Sequence, residues 1–166
     1  YYLEHINKSN LEQLLIRNRS SDKKKAYITD LYIKQRHNSD ATTVINGESL
    51  DILIKFFNSQ SDVRLDFAIS IYEKSGEKLL HLDTRISYPN KMNYSKKSSI
   101  NCKIPNLPLP QGQYKINLAL YADGRKEDHI ENAMILSVQN GNYYRTGKMP
   151  NSQHQKLLLD HSWTVD

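Results

Sequence analysis

The sequence predicts an all-β protein, an antiparallel β-sandwich preceded by a short N-terminal helix. From Ala26 onward apolar residues recur with a period of two, which puts them on one face of a strand. The runs are short, follow one another at sandwich-like intervals, and are separated by Gly, Asn, Asp and Pro. A chain of 166 residues that is 38% hydrophobic can bury one good core and favours one main domain over two.

The elements follow in order. Leu11, Leu14 and Leu15 stand at helical spacing, and Ser9 and Glu12 have the spacing of a capping box, so a helix is expected over about 10–18. RNRSSDKKK then reads as a polar linker, which divides the chain into a linker region, 1–25, and a sandwich, 26–166. Strands are expected at about 26–35, 48–58, 62–73, 78–87, 97–104, 113–122, 131–138 and 160–165. The clearest hairpin is DVRLDFAISIYEKSGEKLLHLDTRIS: Val63, Leu65, Phe67, Ile69 and Ile71 alternate, and KSGE turns the chain toward Leu80, Leu82 and Ile86. In LPLPQGQYKINLALYADG, Tyr114, Ile116, Leu118 and Leu120 form a core face. Lys115, Asn117, Ala119 and Tyr121 form the other.

Composition narrows the function. The 23 basic and 18 acidic residues leave a net charge of +5, but apart from DKKK and one KK pair the cations are scattered. Nucleic-acid binding wants a concentrated stripe, so a solvated surface is the better account. A single cysteine, Cys102, excludes an internal disulfide and a multi-thiol metal site and reads as core filler. No stretch approaches the ~18–20 apolar residues of a membrane-spanning helix, and the N-terminus lacks the layout of a signal peptide, so a soluble, cytoplasmic protein is expected. Eleven tyrosines against one tryptophan and three phenylalanines suit half-wet surfaces, where the ring packs and the hydroxyl keeps a polar partner.

Catalytic and cofactor motifs are missing. There is no Gly-rich phosphate loop, no G-x-S-x-G elbow and no histidine pair at metal-ligand spacing; His5, His37, His81, His129, His154 and His161 stand apart. Asp51, Asp66 and Asp83 show no spacing that marks a glycosidase pair. Neither a metal nor a cofactor is expected.

Five stretches together resemble a known family: INGESLDILIKF, ISIYEKSGEKLLHLDT, IPNLPLPQGQYKINLALY, IENAMILSV and a late SWTVD. They are similar to the C-terminal domain of Wzt-type ATPases, the nucleotide-binding subunits of ABC transporters that export O-antigen polysaccharide. The family's recurring pieces stand here as Gly47-Glu48, Leu109 to Tyr114, Ala133 to Val138 and Trp163, over about residues 26–166. Leu136 stands where the family usually has phenylalanine, and no Walker A loop is present. The resemblance implies an immunoglobulin-like sandwich, isolated from its ATPase domain, that recognises the modified non-reducing end of a finished glycan without catalysis. Its implied partners are the O-antigen terminus, the ATPase domain of the same parent chain and a membrane transporter subunit, at the inner face of the bacterial inner membrane.

In an immunoglobulin-like order the strands at 62–73, 78–87, 113–122 and 131–138 would share a sheet. Their outward residues would be Arg64, Asp66, Ala68, Ser70 and Tyr72, then His81, Asp83 and Arg85, then Lys115, Asn117, Ala119 and Tyr121, then Ala133, Ile135 and Ser137. Small residues flanked by tyrosines and charges describe a shallow trough that suits sugars, whose C–H faces stack on rings while their hydroxyls bond polar groups. Arg64, Asp66, Tyr72, His81, Arg85, Lys115, Asn117 and Tyr121 are therefore the expected carbohydrate site. Tyr143 and Tyr144, adjacent in the loop NGNYYRTG, are a second candidate. The rival readings are an immunoglobulin-like protein-interaction module without a sugar site and, behind it, a glycan-modifying enzyme. The long polar connection before LLLDHSWTVD, with Leu157, Leu159 and Trp163 needing burial, suggests a homodimer formed by exchange of the C-terminal strand.

Overall fold

Strands form wherever the two-residue period is strict, and they stack as two sheets around one core. The computed structural model describes residues 12, 24–36, 41–88, 97–151 and 155–165. In chain order the strands are β1 (Ala26–Lys34), β2 (Thr43–Ile45), β3 (Leu50–Asn58), β4 (Leu65–Glu73), β5 (Lys78–Asp83), β6 (Lys97–Ile104), β7 (Gly112–Ala122) and β8 (Arg125–Gln139). One helical turn, α1 (Thr84–Ser87), follows β5. The sheets have the orders β1-β3-β6 and β2-β8-β7-β4-β5. The pairings are antiparallel except that of β2 with β8, which is parallel and makes the larger sheet mixed.

The inner faces supply the core. Ile28, Ile33, Ile52, Ile54 and Phe56 from the smaller sheet meet Phe67, Ile71, Ile116, Leu118 and Leu136 from the larger one. Phe56 and Phe67 bridge the layers with ring centroids 4.8 Å apart. Each such side chain is worth about 1.5–3 kcal/mol when fully buried. Cys102 packs half-buried against this core, as its lone occurrence suggested. Leu107 and Leu109, in the proline-rich lead-in to β7, are fully buried and close one end. Tyr114 then returns its hydroxyl to the Pro110 carbonyl at 2.8 Å, the tyrosine corner of immunoglobulin-like sandwiches. Burial pushes the Tyr114 hydroxyl up to about 12.

Four boundaries differ from the sequence expectation. The strand expected over 78–87 stops at Asp83, whose carboxylate accepts the Arg85 N–H at 2.9 Å and so caps a helical turn. The strand expected from 131 begins instead at Arg125, because Asp123 and Gly124 take φ of 49° and 79° and make a two-residue hairpin turn. β2 is too short to show a period and was not anticipated. No strand forms over 160–165. There Leu159, Trp163 and Val165 are exposed and Leu157 partly so, while the neighbouring Leu158 is buried, its N–H on the Pro108 carbonyl at 2.6 Å. The helix expected over 10–18 lies, but for Glu12, outside the described residues. Among the described residues no helix is long and apolar enough to cross a membrane.

Candidate functional site: the outer face of the larger sheet

Strand register assembles the site. Asp66 pairs with Tyr121, Ala68 with Ala119, Ser70 with Asn117 and Tyr72 with Lys115 across β4 and β7. On the other flank Ala68 pairs with Asp83 and Ser70 with His81. Partners in register share a face, so these residues stand together opposite the core. Arg64 immediately precedes β4 and Arg85 lies on α1, and both send their side chains onto this face. All eight residues expected from the sequence therefore lie on or at the border of one surface.

Two carboxylates organise it. Asp83 has a 2% exposed side chain and takes a forked contact from Arg85, with Nη2 to Oδ2 at 2.6 Å and Nε to Oδ1 at 3.0 Å. His81 Nε2 stands 3.4 Å from the same carboxylate, and its Nδ1 lies 2.9 Å from the Ser70 hydroxyl. The hydrogen bond from Arg85 holds the Asp83 carboxyl below the usual aspartate range, against a burial that raises it. Asp83 in turn holds the Arg85 guanidinium above its ordinary value. The second carboxylate, Asp66, takes Arg64 Nε at 3.0 Å and the Thr84 hydroxyl at 3.1 Å. Thr84 also accepts the Phe67 N–H at 2.9 Å, which ties α1 to β4.

Aromatic rings border this network. The Arg85 guanidinium lies 3.8 Å from the centroid of the Tyr121 ring. At the far end Lys78 Nζ stands 5.5 Å from the centroid of Tyr72, opposite Lys115. The surface thus offers half-exposed rings and oriented guanidinium edges, the elements that bind a sugar's C–H face and its hydroxyls.

Three features differ from the sequence reading. Ala68 and Ala119 are 2% and 8% exposed, so the floor of small residues is roofed by longer neighbours and no open trough runs along it. Ala133 does not face outward: it is fully buried in the core, because β8 bulges between its pairings of Met134 with Ile116 and Ile130 with Leu118. Asn117 braces that bulge, its Oδ1 accepting the Asn132 N–H at 2.8 Å where Asn132 takes a φ of 52°. Thr84 and Lys78 were missed. Thr84 was hidden by the reading of 78–87 as continuous strand, although a Thr after Asp is a helix-start signal. Among the described residues no group of three His, Cys, Asp or Glu side chains comes together to hold a metal.

The fold and this face define a β-sandwich domain that presents a polar, aromatic-bordered sheet surface. Residues 17–149 match the model of the Wzt C-terminal domain, and the chain belongs to that family. Among solved structures it is similar to the crystal structure of the C-terminal domain of wzt, at 16% identity and a TM-score of 0.67, over 87% of this chain and 86% of that one. A Niemann-Pick type C2 protein from the Japanese carpenter ant is similar at 9% identity and a TM-score of 0.49, over 72% of this chain and 96% of that one. At 16% identity the likeness to the wzt domain is one of fold. No curated protein matches the chain.

Proposed function

We propose that the chain is a non-catalytic carbohydrate-binding module that recognises the modified non-reducing terminus of an O-antigen polysaccharide and couples its completion to export by an ABC transporter. Membership of the Wzt C-terminal domain family supplies the context. The observation that carries the reading is the joining of Tyr121, Arg85, Asp83 and His81 into one ordered network on an outer sheet face. Planar groups held in place before a ligand arrives lose little entropy on binding it. In this reading the module hangs from an ATPase domain of the same parent chain, at the cytoplasmic face of the inner membrane beside the transporter's membrane subunit. It works as a homodimer in which two copies exchange residues 157–166, Leu158 making in the second copy the contacts it makes here. Calorimetric titration of this chain with purified O-polysaccharide, with and without its terminal modification, is the test. Saturable binding only to the modified polymer is expected, and equal affinity for both forms, or none for either, would sink the proposal.

A further inference from the structure

We propose that a second saccharide-binding groove, at the end of the sandwich, holds sugars that lie inward of the terminus bound on the sheet face. The inference rests on the glycan-binding reading above and adds a second point of contact along the same polymer.

The groove has a volume of about 770 Å³ and lies between the loop after β8 and the C-terminal segment, with Gly47 and Asn106 at its base. That size is typical of pockets that take small ligands. Its loop wall is tied down by local hydrogen bonds. The Asn142 carbonyl accepts the Arg145 N–H at 3.0 Å and its side chain accepts the Gly147 N–H at 2.9 Å. Asn46 Oδ1 accepts the Gly141 N–H at 2.8 Å. Tyr143 is buried and donates its hydroxyl to the Leu158 carbonyl at 3.1 Å. It packs so closely on Gly47, which has a φ of 77°, that a Cβ there would stand 2.8 Å from Tyr143 Cα.

On this support stands a chain of rings. Tyr143 and Tyr144 meet edge to face at 4.9 Å, Tyr144 and His161 at 5.6 Å, and His161 and Trp163 at 6.0 Å. Trp163, the only tryptophan in the chain, is 90% exposed. An exposed indole beside other rings is a stacking platform, and Arg145, Lys148 and Asp160 around the groove can meet hydroxyls. That mixture fits a sugar better than an apolar peptide or lipid.

Position links the groove to the sheet face. Lys156 Nζ reaches Glu73 at 2.7 Å and Glu77 at 3.1 Å, which fastens the C-terminal segment to the turn after β4, beside Tyr72. A polymer whose terminus lies by Tyr121 and which runs along β4 toward Glu73 would bring its inward sugars to this end. Exchange of residues 157–166 between two copies would leave the groove intact, because an exchanged element remakes in the partner the contacts it makes at home.

The single tryptophan is the probe. This chain is titrated with its purified O-polysaccharide and, separately, with a short oligosaccharide carrying only the modified terminus, while Trp163 emission and affinity are followed. The polymer is expected to shift the emission to the blue, and the oligosaccharide to bind without doing so. Trp163→Ala and Tyr144→Ala are expected to weaken polymer binding about tenfold and to leave the oligosaccharide unaffected. Unchanged emission with the polymer bound, together with wild-type affinity in both variants, would overturn the groove and leave the face reading standing. Polymer binding that needs Trp163 but ignores Tyr121→Ala would do the reverse. Conversion of a dimer to monomers by Trp163→Ala in sedimentation would make the groove an assembly surface and end the proposal, and a wild-type chain that binds neither ligand ends both readings.

Discussion

The Arg85 guanidinium lies over the Tyr121 ring, 3.8 Å from its centroid, while it forks onto Asp83. The contact spans β4, linking the turn after β5 to β7, and fixes a cation and a ring in one orientation on the outer face. Such a pair contributes about 0.5–1 kcal/mol where solvent reaches it. Its larger consequence is order, since neither planar group has to be immobilised when a ligand arrives.

Tyr121→Ala is expected to abolish binding of the modified polysaccharide while the domain stays folded. Tyr121 is only partly buried on the outer face, so its truncation opens no core cavity and costs on the order of 1 kcal/mol in stability. Titration paired with thermal unfolding checks both halves. Wild-type affinity in the variant would move the site elsewhere.

Asn117→Ala should register in stability rather than in affinity. The Asn117 side chain holds the Asn132 N–H at the bulge of β8, and removing the acceptor costs about 1 kcal/mol in urea unfolding. Asn117→Asp keeps the acceptor and should keep most of the stability. Two variants equally stable with wild type would show that the bulge needs no brace.

The Asp83 network makes stability depend on pH. The hydrogen bond from Arg85 depresses the folded-state pKa of Asp83. A group so depressed contributes stability that is complete above its unfolded value of about 4 and is lost as pH falls toward the lower folded value. Asp83→Asn should therefore be less stable than wild type at neutral pH, and the gap should narrow below about pH 4. A gap that stays constant through the acid range would show that the carboxylate's charge contributes nothing.

Much of this was legible in the sequence, for identifiable reasons. The alternation is strict in β4 and β7, and in β3 it holds on the inner face although Leu53 and Phe57 are apolar on the outer one, so Ile52, Ile54, Phe67, Ile69, Ile116 and Leu118 go to the core and their neighbours face outward. That alternation is also why Asp66, Tyr72, Lys115, Asn117 and Tyr121 share a face, whereas His81 joins them by its pairing with Ser70, Arg64 from just before β4 and Arg85 from α1. The start of β8 is polar, RKEDHIEN, and its strand character comes from the Asp123-Gly124 turn and from pairing with β7 rather than from any period of its own. The end of β5 was obscured because a cap at Asp83 overrides the apolar spacing that continues to Ile86, which is 77% exposed. At the C-terminus LLLD reads equally well in either register, and the structure buries Leu158 where alternation through Leu157 and Leu159 would have buried its neighbours.

Leu158 is the anchor of the C-terminal segment, and the segment's two halves should separate by truncation. Its side chain is 2% exposed, its N–H donates to the Pro108 carbonyl and its carbonyl accepts the Tyr143 hydroxyl. Beyond it Leu159, Trp163 and Val165 are exposed and contribute little to the core. Deleting residues 160–166 should change stability by no more than about 0.5 kcal/mol and leave any dimer in place, while removing the polymer contact at Trp163. Deleting residues 157–166 removes the anchor as well and should cost about 2 kcal/mol or more, the scale of a large-to-small core substitution. If two copies exchange this segment, the longer deletion should also yield soluble, less stable monomers. Sedimentation of the full chain and both truncations, with urea unfolding of each, distinguishes the outcomes. A full chain that stays monomeric at high micromolar concentration would rule out exchange, and a 157–166 deletion as stable as wild type would show that Leu158 anchors nothing.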